Sequence, residues 1–342
     1  MSECKVYFGA ANGYTGFRSN FQEIFSPRTI EKLFIIKGGP GTGKSTLMRR
    51  IDEYYRGRFD TTAILCSSDP GSYDGVIIHG DDKEIGIVDG TSPHVMEPMY
   101  PGAVEEIINL GDSFDYEYLR SHKNEIVTLS EDKRMTYKRA YDALSIAGSI
   151  HSCIFNNLSD FYIYNLAEIV FNDIMQSQTN GVFTSYKSPF LIGSFSKNGY
   201  RRVKKLYGKK KEITIGGDGI SEYILLSEFA KWLEKKKISY SLFASPFSMD
   251  IPDMIETCDT VFVKSNGADF ILDSTKFLSL NDEYCRLYKC YQYMIESSKE
   301  ALEKASEYHL ALESIYSQAV RFNDNEKQYE HIVESIDCIL DK

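Results

Sequence analysis

A chain of 342 residues and 39.0 kDa is longer than one hydrophobic core usually organises, so two units of about 150 residues are expected. With 42% hydrophobic and 26% charged residues it is not a disordered chain, and a net charge of −10 disfavours a broad nucleic-acid surface. Seven cysteines, odd in number and scattered without a CxxC pair, argue against a disulfide framework and against a zinc site.

Val6-Tyr7-Phe8 reads as a short strand running into the glycine-rich stretch Gly9–Phe17, which is either an ordinary turn or a loop covering a ligand. Next comes the apolar run Leu33-Phe34-Ile35-Ile36, the sequence GGPGTGKST at Gly38–Thr46, and a helix opening on Leu47-Met48. A strand that turns through glycines into a helix aims successive backbone N–H groups, and the positive end of the helix dipole, at one point where a phosphate fits. Gly38, Gly39, Gly41, Thr42, Gly43, Lys44, Ser45 and Thr46 form this candidate cradle. Lys44 is suited to the β- and γ-phosphates, and the Ser45 hydroxyl to a Mg²⁺ ion.

Thr61–Cys66 reads as a second strand that ends in the loop Ser67–Gly71. Asp74–Ile78 and Glu84–Asp89 follow, separated by polar residues. An apolar strand ending in a carboxylate beside the cradle is the expected second half of a Mg²⁺-nucleotide site, which makes Asp89 the metal candidate and Asp69 its alternative. No Glu follows Asp89; the chain continues Gly90-Thr91-Ser92-Pro93-His94, leaving His94 and Glu97 as the nearest groups to orient water or an acceptor. No guanine-specificity motif is present, so ATP is expected rather than GTP. Lys44, Asp89 and His94 are the catalytic candidates.

The sequence also repeats. Leu129–Asp173 lines up without a gap on Leu280–Asp324 at an offset of 151, with Tyr137-Lys138 on Tyr288-Lys289 and Phe171-Asn172-Asp173 on Phe322-Asn323-Asp324. Upstream, Ile36–Gly41 aligns with Thr214–Gly219, and Val88-Asp89-Gly90-Thr91 with Leu272-Asp273-Ser274-Thr275. The second copy then lacks a block that the first carries between Asp89 and Leu129. The expected fold is a tandem duplication of an α/β parallel-sheet unit with an appended helical hairpin. Residues 1–180 are the active unit, with its hairpin at about 128–175; residues 181–342 are a degenerate unit with helices at about 279–340, joined to the first near Gln178–Lys187. In the second loop Ser221, Glu222 and Tyr223 replace Gly43, Lys44 and Ser45, so no nucleotide is expected there: a carboxylate repels phosphate, and tyrosine is too bulky for the hydroxyl's task.

On GGPGTGKST, Asp89–His94, Pro101–Asp112 and Asp273-Ser274-Thr275, the chain resembles an uncharacterised group of bacterial tandem P-loop ATPases. The resemblance implies ATP binding over a P-loop NTPase fold. In that group both halves usually keep a P-loop, so the loss at Ser221-Glu222-Tyr223 departs from its pattern. The expected activity is Mg²⁺-dependent ATP hydrolysis or switching from the first half. The alternatives are a small-molecule kinase using the same site and an ATP-dependent scaffold working through the terminal helices. Seven basic residues, Arg201, Arg202, Lys204, Lys205, Lys209, Lys210 and Lys211, form either a solvated loop or a cation source for the Lys44 site. No apolar stretch is long enough to span a bilayer. The expected setting is cytoplasmic, with the nucleotide and either a second protein or a second copy as partner, and neither membrane nor nucleic acid.

Overall fold

A computed structural model describes residues 4–175, 183–203, 210–265 and 271–340 as an α/β protein. The first half forms β1 (Cys4–Phe8), the pair β2 (Ala10–Gly13) and β3 (Gly16–Ser19), α1 (Phe21–Ile24), β4 (Ile30–Lys37), α2 (Lys44–Tyr55), β5 (Asp60–Leu65), β6 (Tyr73–His79), β7 (Glu84–Asp89) and β8 (Glu105–Asn109). Helices α3 (Tyr116–Ser121), α4 (Lys123–Asn156), α5 (Leu158–Phe161) and α6 (Tyr164–Ile174) follow. The second half forms β9 (Ser185–Ser188), β10 (Gly193–Ser196), β11 (Gly199–Arg202), β12 (Lys211–Gly216), α7 (Ser221–Lys236), β13 (Tyr240–Ala244), β14 (Pro252–Glu256), β15 (Thr260–Lys264), β16 (Leu272–Asp273), α8 (Asp282–Ala319) and α9 (Phe322–Leu340). No helix among the described residues is long and apolar enough to cross a membrane.

The two large sheets have the same strand order: β1-β5-β6-β7-β4-β8 in the first and β9-β13-β14-β15-β12-β16 in the second. Orientations match pair by pair. The sheets are mixed rather than parallel, because β6 runs antiparallel to β5 and β7, and β14 to β13 and β15. The cause is local: only short turns join β5 to β6 and β6 to β7, and a parallel pair needs a crossover of a dozen residues or more. The central β4 has parallel neighbours on both sides, and Phe34, Ile35 and Ile36 are fully buried. Ser185–Ser188, overlapping the end of the Gln178–Lys187 segment read as the connection between halves, is an edge strand paired to β13; its mostly exposed side chains gave it no apolar signature.

The matched sheets also fix the correspondence between copies. β15, not β16, occupies the place of β7, so Lys264 stands where Asp89 stands. Asp273 ends β16, which pairs with β12 as β8 pairs with β4, and so corresponds to Asn109. The alignment of Asp89 with Asp273 rested on a shared local turn. Asp89 Oδ1 accepts from Thr91 N at 2.9 Å and Thr91 Oγ1 at 2.6 Å, and Asp273 Oδ1 accepts from Thr275 N at 3.0 Å and Thr275 Oγ1 at 2.6 Å. The helical register moves too. The bridges Phe114–Val320 and Tyr162–Leu278 are equivalent, which matches Tyr164 with Phe322 at the starts of α6 and α9, rather than Phe171 with Phe322.

Two compact units result, and they are not the sequence halves 1–180 and 181–342. One takes Met1–Ala10, Ser19–Arg139 and Glu300–Lys342; the other takes Ala11–Arg18 and Ala140–Lys299. Each sheet is therefore completed by the closing helices of the other half of the chain. In the first unit Ile332 and Ile336 of α9, both fully buried, join Leu47, Met48 and Ile51 of α2 in one core. Burial of side chains this size stabilises by about 1.5–3 kcal/mol each. In the second unit Phe161, Phe171 and Ala167 from the first half pack with Phe229, Trp232 and Leu233 of α7.

The second unit also buries His151, stacked on Phe155 with ring centroids 4.4 Å apart, and burial pushes its pKa down from 6.5 to about 4. Between those values the unfolded chain binds a proton that the folded unit refuses, so stability falls as pH falls through the window. The loss from pH 7 to pH 5 is about 2 kcal/mol for this group. Asp253, raised by burial to about 6, acts in the opposite sense. Trp232, the chain's one tryptophan, reports on this unit. Urea midpoints followed by its fluorescence should drop less between pH 7 and 5 in His151→Phe than in wild type; equal drops would rule His151 out as the titrating group.

Candidate active site at the Lys44 loop

The loop between β4 and α2 reverses direction through Gly41 at φ 69° and Gly43 at φ 89°, left-handed conformations that strain any residue with a Cβ. Thr42 Oγ1 donates to Gly39 O at 2.9 Å and holds the turn. No side chain among the described residues accepts from the N–H groups of Gly41, Thr42 or Gly43. Lys44 opens α2, and its Nζ reaches back over the loop, donating to Gly39 O at 2.7 Å and Gly38 O at 3.2 Å, with Asp89 Oδ2 at 3.7 Å. Ser45 Oγ accepts from Tyr73 N at 2.8 Å, which ties the start of β6 to α2 and leaves a lone pair on the hydroxyl.

Asp89 is buried at the end of β7, directly beside β4, as the sequence reading expects. Its neighbour Asp74 was not foreseen. Asp74 is the second residue of β6, and because β6 is antiparallel its first residues lie at the same edge of the sheet as the last residues of β7. Asp74, Asp89 and His94 are all buried, with one ligand atom of each within 4.8 Å of the others; His94 Nε2 lies 3.5 Å from Asp74 Oδ2. Burial first, and repulsion from Asp89 second, push the Asp74 carboxyl up to about 8. Burial lowers the His94 imidazole below its ordinary value, so the ring is neutral at pH 7.

Two other candidate carboxylates lie outside this buried trio. Asp69 is exposed in the turn after β5, where Oδ1 accepts from Gly71 N at 3.2 Å and Oδ2 from Ser72 Oγ at 3.1 Å. Glu97 pairs with Lys37 at 2.6 Å, and the same ammonium donates to Gly90 O at 2.9 Å and Met96 O at 2.6 Å. That contact pins the loop carrying His94 to the end of β4, so Glu97 shapes the loop rather than joining the reacting groups.

The last turns of α8 cover the outer face of the loop. A Cβ on Gly39 would lie 2.8 Å from the Tyr316 ring, and one on Gly41 2.7 Å from Glu313 O, so helix packing alone already requires these glycines. Lys133 of α4, lowered mainly by burial, has Glu313 and Lys44 as charged neighbours and adds a second cation that the sequence reading missed.

In the other unit the corresponding loop is filled by its own acids. Glu222 Oε2 accepts from Gly219 N at 2.7 Å, and Asp218 Oδ1 from Ile220 N at 3.0 Å and Ser221 N at 2.8 Å. Lys264 Nζ lies 3.4 Å from Glu222 Oε1, both side chains at least nine-tenths buried. The Lys44–Asp89 pair thus recurs with its charges exchanged. Of the basic run, Arg202 pairs with Glu212 at 3.1 Å and Lys210 with Glu256 at 3.0 Å; Arg201 is exposed, and Lys204, Lys205 and Lys209 lie outside the described residues. Comparison of the chain with protein-family models, with curated proteins and with solved structures gives no match in any of the three.

Proposed function

We propose that the chain is a tandem P-loop NTPase that binds one Mg²⁺-ATP at Lys44 and hydrolyses it as a slow or partner-stimulated switch. The observation that carries this reading is the contrast between the loops: at Gly41–Gly43 no acidic side chain among the described residues accepts from the backbone N–H groups, whereas at Gly219–Ser221 Asp218 and Glu222 take them. The first loop has the form of an anion site, with Lys44 as its cation. The residues also fit Mg²⁺, a hard cation that prefers oxygen: Ser45 Oγ, Asp89 and Asp74 supply oxygens, and a cation beside Asp74 favours its charged form. When bound, Mg²⁺ neutralises charge developing on the terminal phosphate oxygens. Lys44 holds the phosphates, the Thr91 bonds fix the Asp89 carboxylate, and neutral His94, held among Phe21 and Asp74, is the group able to take a proton from an attacking water.

The second unit is proposed to be nucleotide-free, its loop already holding the Glu222 carboxylate where an anion would lie. Equilibrium binding at saturating ATP should give one nucleotide per chain. A stoichiometry of two would overturn the reading of the second loop.

A small-molecule kinase is favoured by one observation: Gly90, not a carboxylate, follows Asp89, so the position next to the metal candidate in the chain supplies no acidic base. ATP turnover with and without cell extract separates the two. Steady ADP release from water supports the hydrolase, and extract-dependent consumption yielding a phosphorylated metabolite supports the kinase.

A further inference from the structure

We infer that Phe322, at the start of α9, is the stacking platform for the nucleobase, a role that rests on the nucleotide reading of the Lys44 loop. β4 lies between β7 and β8, so the sheet gives the loop two different sides. On the β7 side stand Asp89, Asp74 and His94, the cation end of the site. On the β8 side the chain leaves the sheet, Phe114 bridges Val320, and Arg321 N donates to Ser113 O at 3.0 Å, which sets the first turn of α9 there. A nucleotide with its β-phosphate at Lys44 and its terminal phosphate toward Asp89 therefore runs its base toward α9.

Phe322 meets it there. Its Cε1 lies 3.6 Å from where a Cβ of Gly43 would be, so the ring flanks the residue just before Lys44. It is nevertheless 51% exposed, so about half of the residue remains accessible to a ligand rather than consumed by packing. The platform is also fixed relative to the phosphate cradle. Asn325 Nδ2 donates to Thr42 O at 3.0 Å, Glu326 accepts two bonds from Arg50 of α2 at 2.8 Å each, and Ile332 and Ile336 anchor the rest of α9 in the core. Thr42 lacks any aromatic surface, and the loop glycines offer none, so Phe322 supplies what a base needs and the cradle cannot. Stacking is tolerant of base identity but favours the larger purine ring, which fits ATP.

The test compares two Mg²⁺-bound probes, ATP and inorganic tripolyphosphate, which share phosphates and differ in the nucleoside. In Phe322→Ala, ATP affinity should fall roughly five- to a hundred-fold while tripolyphosphate affinity is unchanged, and Phe322→Trp should restore ATP binding. Unchanged ATP affinity in Phe322→Ala overturns the assignment, as does an equal loss for both probes, which would indicate damage to the loop. Lys44→Ala, measured in parallel, weakens both probes if the loop is the phosphate site. If it weakens neither, the nucleotide reading fails first and the base platform falls with it. If it weakens both while Phe322→Ala changes nothing, only the platform is lost.

Discussion

Lys44→Ala should bind Mg²⁺-ATP ten- to a hundred-fold more weakly than wild type in a calorimetric titration, and should lose turnover at least in proportion. The lysine is partly buried, donates to two carbonyls of its own loop and lies 3.7 Å from Asp89, so its charge is held in the cradle before any phosphate arrives. A charge-assisted hydrogen bond of this kind contributes about 1.5–3 kcal/mol. Affinity and turnover together reveal where the contact acts. A loss of affinity with turnover preserved at saturation means uniform binding, whereas a larger loss in turnover means that Lys44 acts mainly on charge developed during transfer. Removing the lysine also leaves Asp89 beside Asp74 without its cation, which pushes the Asp74 carboxyl further up and would weaken the proposed metal end of the same site. Wild-type binding by the variant would sink the assignment of the loop to phosphate.

The parts of the site written in one continuous stretch were readable from sequence; the parts assembled by strand direction were not. GGPGTGKST names its own geometry, because glycine at φ 69° and 89° and a lysine opening a helix are local requirements. Asp89 was readable for the same reason, as the polar end of a buried strand. Asp74 was not, since a carboxylate at the start of a strand reads as solvent-facing until the strand is known to be antiparallel. The short turns flanking β6 were the available signal. Similarly, the Asp-x-Thr turn at Asp89 and again at Asp273 made unrelated positions look alike, and only strand pairing shows that Lys264 is the counterpart of Asp89. The exchange of closing helices between halves has no local signature. α9 buries Ile332 and Ile336 as any amphipathic helix might, and nothing in that stripe says which sheet it covers.

That counterpart carries the second large expectation: Lys264→Met should destabilise the second unit by about 3–5 kcal/mol, and adding Glu222→Gln should recover most of the loss. Lys264 and Glu222 are 3.4 Å apart with little solvent access, so removing the ammonium strands a carboxylate in an interior that cannot hydrate it. Asp253 beside them adds to the imbalance, because Lys264 is one of the charges that hold its pKa down. Glu222→Gln removes the stranded charge yet keeps an oxygen to accept from Gly219 N, so the double variant loses the ion pair without orphaning the loop. The Tyr200 and Tyr223 rings, 4.6 and 5.3 Å from the ammonium, pack as readily against methionine. Urea unfolding followed at Trp232 isolates this unit, which matters because a chain of two units need not unfold in one step. If single and double variants lose the same amount, the pair is not what stabilises the loop. Recovery in the double variant means instead that the second copy holds an internal ion pair in place of a bound phosphate and its lysine.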